Sequence, residues 1–225
     1  MKLTLKLPAM VVGAILLTAI VSGTASIMIG RNSLREAALE DMLHGAELYA
    51  SAVVAHIEGA RALIASTAGL PQLKNLEQAR EIAASVLAQS TAFEYIMFLT
   101  PAGSMAMIEP LAIEQGLSSR DRSFSAWFGE MRRTGRAVVS DLHISPATQH
   151  PTIVIAVPVH AADGRIAGVR AGALKLDRFS QIGAIDSDRL AAKVSGFVTD
   201  RRGLVIAHTK IPAFVESQTD FSSVY

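Results

Sequence analysis

The chain has 225 residues, half of them apolar, which is room for one large domain or two small ones with a packed core. Setting aside Lys2 and Lys6, the basic residues of the first thirty positions, leaves 19 of the 21 Lys and Arg against 20 Asp and Glu, and that balance argues against electrostatic binding of nucleic acid. Cysteine is absent, which excludes thiol catalysis, disulfides and cysteine metal sites.

Leu7 to Gly30 is a run of 24 residues without a charge. About 20 apolar residues cross a bilayer as a helix, so this stretch predicts a membrane span. Lys2 and Lys6 ahead of it favour a cytoplasmic segment 1–6 and place everything after Arg31 outside the cytoplasm, on the periplasmic side of an inner membrane. The rival reading is a cleaved signal peptide with Gly23-Thr24-Ala25 as its small-residue site. A helical pattern that runs straight on to about residue 68 favours the anchor. Over 31–68, Leu39, Ala46, Val53 and Ala60 alternate with Leu43, Ala50, Ile57 and Ile64 at heptad spacing. That seam suits either a homodimer contact or packing on the helix's own domain.

Leu70-Pro71 breaks the helix, and Asn75 with Gln78 resembles a capping box for a second helix, Leu76 to about Gln89, with Ala79, Ile82, Val86 and Leu87 inward. Tyr95 to Thr100 reads as the first arm of a hairpin turning at Pro101-Ala102-Gly103, and 111–120 as a loop. A third helix is expected over about Ser123 to Thr134, with Phe124, Trp127, Phe128 and Met131 on its apolar side and Gly135 at its end. Three strands follow, AVVSDLHI, TIVIAVPV and RIAGVRAGALKL, the last two joined through Asp163-Gly164. A short helix near Asp177 to Ile182 leads to a second hairpin, FVTDRRGLVIAH, which repeats the wording of FLTPAGSMAMI. The fold class is therefore α+β: a transmembrane helix, a long helix, one antiparallel-sheet lobe over 69–185, and the start of another over 186–225.

No His-Glu-x-x-His, Gly-x-Ser-x-Gly, Walker loop or Gly-x-Gly-x-x-Gly occurs, so catalysis and cofactor binding have no positive signal. His143 and His150 lack an evident third ligand for a metal. The case for binding rests on Arg120 and Arg122, near a helix amino end where the dipole disfavours cations. Such an arginine calls for an anion, and its fork matches a carboxylate or phosphate. Asp121 or Asp141 would satisfy either arginine locally. Tyr95 offers a hydroxyl at a strand start, and Trp127 a stacking face. Asp141 and His143 share one strand parity in AVVSDLHI, so their side chains face the same side of the sheet.

The order of these segments resembles the double Cache (dCache) extracytoplasmic sensor of bacterial chemoreceptors, histidine kinases and diguanylate cyclases. The resemblance is carried by the anchor and long helix, then FLTPAG, RDRSFSAWFGEMRRTGRAVVSDLHIS, PTIVIAVPV, DGRIAGVRAGALKLDRF and FVTDRRGLVIAH. It implies a PAS-like membrane-distal lobe that holds a small molecule between the third helix and the sheet. It further implies that any chemotaxis, kinase or cyclase output lies beyond Tyr225. The chain ends seventeen residues after His208, too few to finish a second lobe of equal size, so a fragment or a truncated form is expected. A tethered solute-binding or scaffold protein is the alternative.

Family position supports Arg122 and Phe124 as ligand contacts, and puts His143 where amino-acid-binding members carry tyrosine. The aspartate that receives a ligand's amino group in those members would fall at Ala173. Losing that partner costs an ammonium roughly 2–3 kcal/mol. The expected ligand is therefore a carboxylate or another anion, not a free α-amino acid.

Overall fold

The computed structural model describes residues 6–68, 76–179, 181 and 196–222. One helix, α1 (Lys6–Ala68), runs through both the apolar stretch and the heptad seam. Among the described residues it is the one helix long and apolar enough to cross a membrane, by length and composition. The chain divides into two units, residues 1–48 and 49–225. In the first, Leu39 is 50% and Leu43 65% exposed. In the second, Val53, Ala60 and Ile64 are buried, and Ile57 packs beside them. One heptad pattern thus carries two different burials.

α2 (Leu76–Gln89) buries Ala79 and Ala83, while Val86 and Leu87 are half-buried against the same core. The expected break at Leu70-Pro71 and the cap at Asn75 lie outside the described residues. The sheet is built from β1 (Phe93–Leu99), β2 (Met105–Glu109), β3 (Val138–Val139), β6 (Val154–His160) and β7 (Ile166–Leu174), in the order β2-β1-β7-β6-β3. The pairings between these neighbours are antiparallel.

Alternation along these strands separates two cores. On one face Phe93, Phe98, Ile155 and Leu174 meet α1 and α2. The approach is close: a Cβ on Gly172 would stand 2.6 Å from the Phe93 ring and 3.0 Å from Ile64. Arg170 is 1% exposed on this face, with its guanidinium 4.7 Å from the Phe98 ring centre. On the other face Tyr95, Met97, Leu99, Ala171 and Ala173 form a cluster with Trp127, Phe128 and Met131 of α4 (Ala126–Thr134).

Three expectations need correction. The 111–120 segment is not all loop, because Pro110 starts a short helix, α3 (Leu111–Gln115), which Gly116 ends. The third helix begins at Ala126 with Ser125 as its N-cap residue, since the preceding residues are engaged in a turn. Phe124 therefore lies before the helix and is 90% exposed, off the apolar face. AVVSDLHI is not one strand either. The Ser140 hydroxyl accepts the Val154 N–H at 2.9 Å, interrupting the ladder after β3, and the chain then enters a separate ribbon of β4 (His143–Ile144) and β5 (Pro151–Thr152). Asp141 is outside any strand, so the parity argument linking it to His143 fails.

The second hairpin is β8 (Phe197–Thr199) with β9 (Val205–His208), followed by α5 (Ala213–Glu216). Residues 177–179 are helical, and the rest of the expected 177–182 helix is described only at 181.

Candidate functional site

The site begins with the tight turn of the first hairpin. Gly103 has φ 91°, a left-handed value that glycine takes without strain, and its N–H donates to the Thr100 carbonyl at 2.9 Å. The turn then serves as an edge for a later segment. Met105 N–H donates to Arg120 O at 2.8 Å, Arg122 N–H donates to Gly103 O at 2.9 Å, and Ser104 bridges to Asp121. A Cβ at Gly103 would lie 2.9 Å from the Ser123 backbone and 3.0 Å from Phe128, so no other residue allows this approach. Asp121 fixes the segment further by accepting the Ser123 N–H at 2.8 Å.

This docking holds Arg122 at 7% exposure. Its Nη1 donates to the carbonyls of Ser119 and Asp121, both at 2.9 Å. Its Nη2 is buried without a hydrogen-bond partner among the described residues. The local acids that sequence reasoning offered as partners are occupied elsewhere: Asp121 binds the backbone, and Asp141 accepts from Arg201 Nε at 2.9 Å. Arg120 differs, being exposed and paired with Glu114 at 2.5 Å.

Tyr95 is 3% exposed, and its hydroxyl lies 2.8 Å from Oγ of the fully buried Ser145. Burial pushes the Tyr95 hydroxyl above its ordinary pKa, while the Ser145 hydrogen bond and the positive charge of Arg122 draw it down. Across the sheet, Tyr95 pairs with Ala173, and Ala173 with Val154. The next row is Met97, Ala171 and Ala156. This floor carries methyl groups and no carboxylate, including at Ala173.

Trp127, Asp141 and His143 meet in a separate cleft of about 240 Å³, whose lining also includes Ser140, Arg201 and Arg202. His143 is half-buried, with Nδ1 3.1 Å from the Asp141 carbonyl, and burial holds its pKa below the ordinary value. Trp127 packs edge-on against Phe128 at 6.1 Å. The arginines here are engaged: Arg201 pairs with Asp141 and Glu130, and Arg202 with Asp200 and the Leu142 carbonyl. A larger concavity of about 620 Å³, lined by Glu94, His150, Lys175 and Glu216 among others, contains none of the residues that the sequence offers as ligand contacts.

The structure therefore buries Arg122 and Tyr95, gathers Trp127, Asp141 and His143 in one cleft, and leaves Phe124 in solvent. Sequence reasoning missed Ser145. Its signal was the Ser-Pro pair opening a turn, in which Ser145 Oγ accepts the N–H groups of Ala147 and Thr148 at 3.2 and 3.3 Å. Among the described residues no group of three or more His, Asp or Glu is placed to hold a metal ion.

Comparison with known proteins agrees with this architecture. No curated protein sequence matches the chain significantly. Among solved structures, the ligand-binding domain of the amino acid chemoreceptor PctB of Pseudomonas aeruginosa PAO1, in complex with L-Gln, superposes with a TM-score of 0.64 at 20% identity, covering 81% of this chain and 72% of that one. That of PctC from the same organism, in complex with GABA, gives 0.61 at 20% identity over 81% and 80% of the two chains. The domain of Pseudomonas fluorescens CtaA with L-isoleucine gives 0.59 at 22% identity over 84% and 75%. At these identities the likeness is one of fold. The family model for the Cache domain matches residues 30–223, and the chain accordingly belongs to the Cache domain family, with the fold of chemoreceptor ligand-binding domains.

Proposed function

We propose that the chain is the sensing region of a membrane-anchored receptor, and that it takes a small carboxylate through Arg122. The observation that carries this is the Nη2 of Arg122, a residue more than nine-tenths buried, which has no hydrogen-bond partner among the described residues. A buried charge left unmatched is costly, so the site is built for an anion that arrives from outside. Phe124, Asp141, His143 and Trp127 are not needed for that contact. The last three would act through their own cleft.

In this reading residues 7–30 anchor the chain in a bilayer, residues after Arg31 face away from the cytoplasm, and the exposed seam of α1 meets a second copy. The lobes would follow the boundaries 69–185 and 186–225, and the output would lie in another part of the receptor. Ligand would act only through unequal affinity for two arrangements of the sensor.

Ala173 and the carboxylate-free floor favour acids without an α-amine. The same-fold domains that hold L-Gln, GABA and L-isoleucine favour the second reading, an amino acid ligand. Calorimetry on the full chain with matched pairs of α-amino acids and their deaminated acids separates the two. The expected result is tighter binding of the deaminated member, lost in Arg122→Ala. Micromolar binding of an amino acid, abolished by methylating its amine, would overturn the preference for deaminated acids. Full binding by Arg122→Ala would overturn the site itself.

A further inference from the structure

Two polar groups in the cleft between α4 and the second hairpin have no hydrogen-bond partner among the described residues. The first is the indole N–H of Trp127, a residue only 5% exposed. A buried indole normally finds an acceptor, because losing water without a substitute costs free energy. Its Nε1 belongs to the small part of the ring left uncovered, and Trp127 lines the cleft of about 240 Å³. The second is Nε2 of His143, which lines the same cleft. His143 Nδ1 lies 3.1 Å from the Asp141 carbonyl, which can only accept, so Nδ1 carries the proton. That carbonyl also accepts the Ser140 hydroxyl at 2.8 Å, and Ser140 is itself fixed by the Val154 N–H at 2.9 Å. Nε2 is then a bare lone pair. Burial, with the Arg202 charge, lowers the pKa of His143 and keeps the ring in this neutral form.

The charges around these two groups are already matched. Arg201 pairs with Asp141 at 2.9 Å and with Glu130 at 3.8 Å, and Arg202 pairs with Asp200 at 3.1 Å. An anion entering the cleft would compete with those carboxylates, and a cation with those arginines. One neutral donor and one neutral acceptor are left over. We infer that this cleft is a binding site for a small neutral amide, whose carbonyl accepts from Trp127 Nε1–H and whose N–H donates to His143 Nε2. The site is separate from the carboxylate contact proposed above, since neither Arg122, Tyr95 nor Ala173 lines it. Its volume falls below the about 300–1,000 Å³ of pockets for drug-sized ligands, which limits the occupant to one or two small rings. Because Arg201 and Arg202 belong to the second hairpin, an occupant sits against that hairpin as well as α4.

Trp127 is the only tryptophan in the chain, so its indole N–H gives a single nuclear magnetic resonance signal that reports this cleft alone. The full chain in detergent, isotope-labelled at the indole nitrogen, is titrated with δ-valerolactam, a neutral cyclic amide. The expected result is a saturable downfield shift of the indole proton. N-methylvalerolactam keeps the carbonyl and lacks the donor, and should bind about tenfold more weakly. His143→Phe should bind both lactams alike, at the weaker level. An indole proton unmoved by δ-valerolactam overturns the site. Equal affinity of the wild type for the two lactams overturns the role of Nε2, a comparison that needs no variant to fold. Sodium acetate, the probe for Arg122, is expected not to compete with the lactam, and competition would overturn the separation of the two sites.

Discussion

Gly103 and Arg122 show how much of the site depends on a single missing side chain. The close approach of the Ser123 backbone, combined with φ 91°, makes Gly103→Ala strained twice over, by sterics and by backbone conformation. A left-handed non-glycine residue alone costs about 1–3 kcal/mol. The expected outcome in thermal unfolding is a loss of at least that size, and any surviving folded protein should bind acetate poorly because Arg122 is no longer held. Stability within error of the wild type would mean that the docked segment is not where it is described. His208 makes a separate, acid-sensitive contribution. It is 4% exposed, lies parallel to Phe197 and edge-on to Phe214, and its Nδ1 accepts the N–H groups of Lys210 and Ile211 at 3.0 and 2.9 Å. Burial, with the nearby Lys210 charge, holds its pKa below the usual 6.5. Because the folded value is the depressed one, this stability is present above the unfolded pKa and is lost as pH falls through about 6.5 toward the folded value. His143 is shifted in the same direction and adds to the effect. Unfolding midpoints measured from about pH 7 down to pH 5 should fall, and fall less in His208→Gln; a midpoint flat across that range would exclude Nδ1 as an acceptor.

At the scale of elements, the repeated hairpin is a repeated docking device. Gly203 has φ 86°, its N–H donates to Asp200 O as that of Gly103 does to Thr100 O, and Phe221 N–H donates to its carbonyl at 3.0 Å. Val205 N–H donates to Thr219 O, Leu204 bridges to Asp220, and Asp220 accepts the Ser222 N–H, each bond matching one in the first copy. The segment 219–222 therefore corresponds to 120–123, and Phe221 stands where Arg122 stands. The second copy replaces the guanidinium with an aromatic ring, 4.8 Å from Phe197 and 5.8 Å from Phe214. One anion site per chain is expected, and calorimetric stoichiometry near two would refute the correspondence. The two hairpins were legible because turn residues and strand alternation are local signals, as in FLTPAG and FVTDRRG. Their docking partners were not, since nothing within a short window says that residues near 121 and 220 return to earlier turns. The break at Ser140 was hidden for the same reason, because it depends on a side chain reaching Val154. The second hairpin also holds the segment that follows β3. Asp200 accepts the Leu142 N–H at 3.1 Å, and Arg202 donates to the Leu142 carbonyl. Burial opposes ionisation of Asp200, but the amides and the Arg202 guanidinium outweigh it and keep its carboxyl below the ordinary value. Asp200→Ala should cost about 2–3 kcal/mol and raise hydrogen exchange at Leu142. Unchanged protection there would show that the two elements are not joined through this turn.

For the whole molecule, the heptad pattern illustrates what periodicity can and cannot decide. It marks the face of α1 that is buried at Val53, Ala60 and Ile64 but is silent about what covers the rest. In residues 49–225 the cover is the chain's own core, as Val53, Ala60 and Ile64 show, with Tyr49 donating to Phe179 O at 3.0 Å. In residues 1–48 the same pattern leaves Leu39 and Leu43 half or more exposed among the described residues. Three alanines in the seam make it weak in isolation, but the proposed membrane anchor would raise the effective concentration of two copies. Dimer contact is therefore expected through Leu39 and Leu43 and not through Val53 or Ile64. The absence of native cysteine makes the test clean, because Leu39→Cys or Leu43→Cys would be the sole thiol in each chain. Oxidation in membranes should give a covalent dimer for these two variants and none for Ile64→Cys, whose position is fully buried. Equal cross-linking at all three positions would indicate nonspecific collision. Cross-linking only at Ile64 would reverse the assignment of the two halves of the helix.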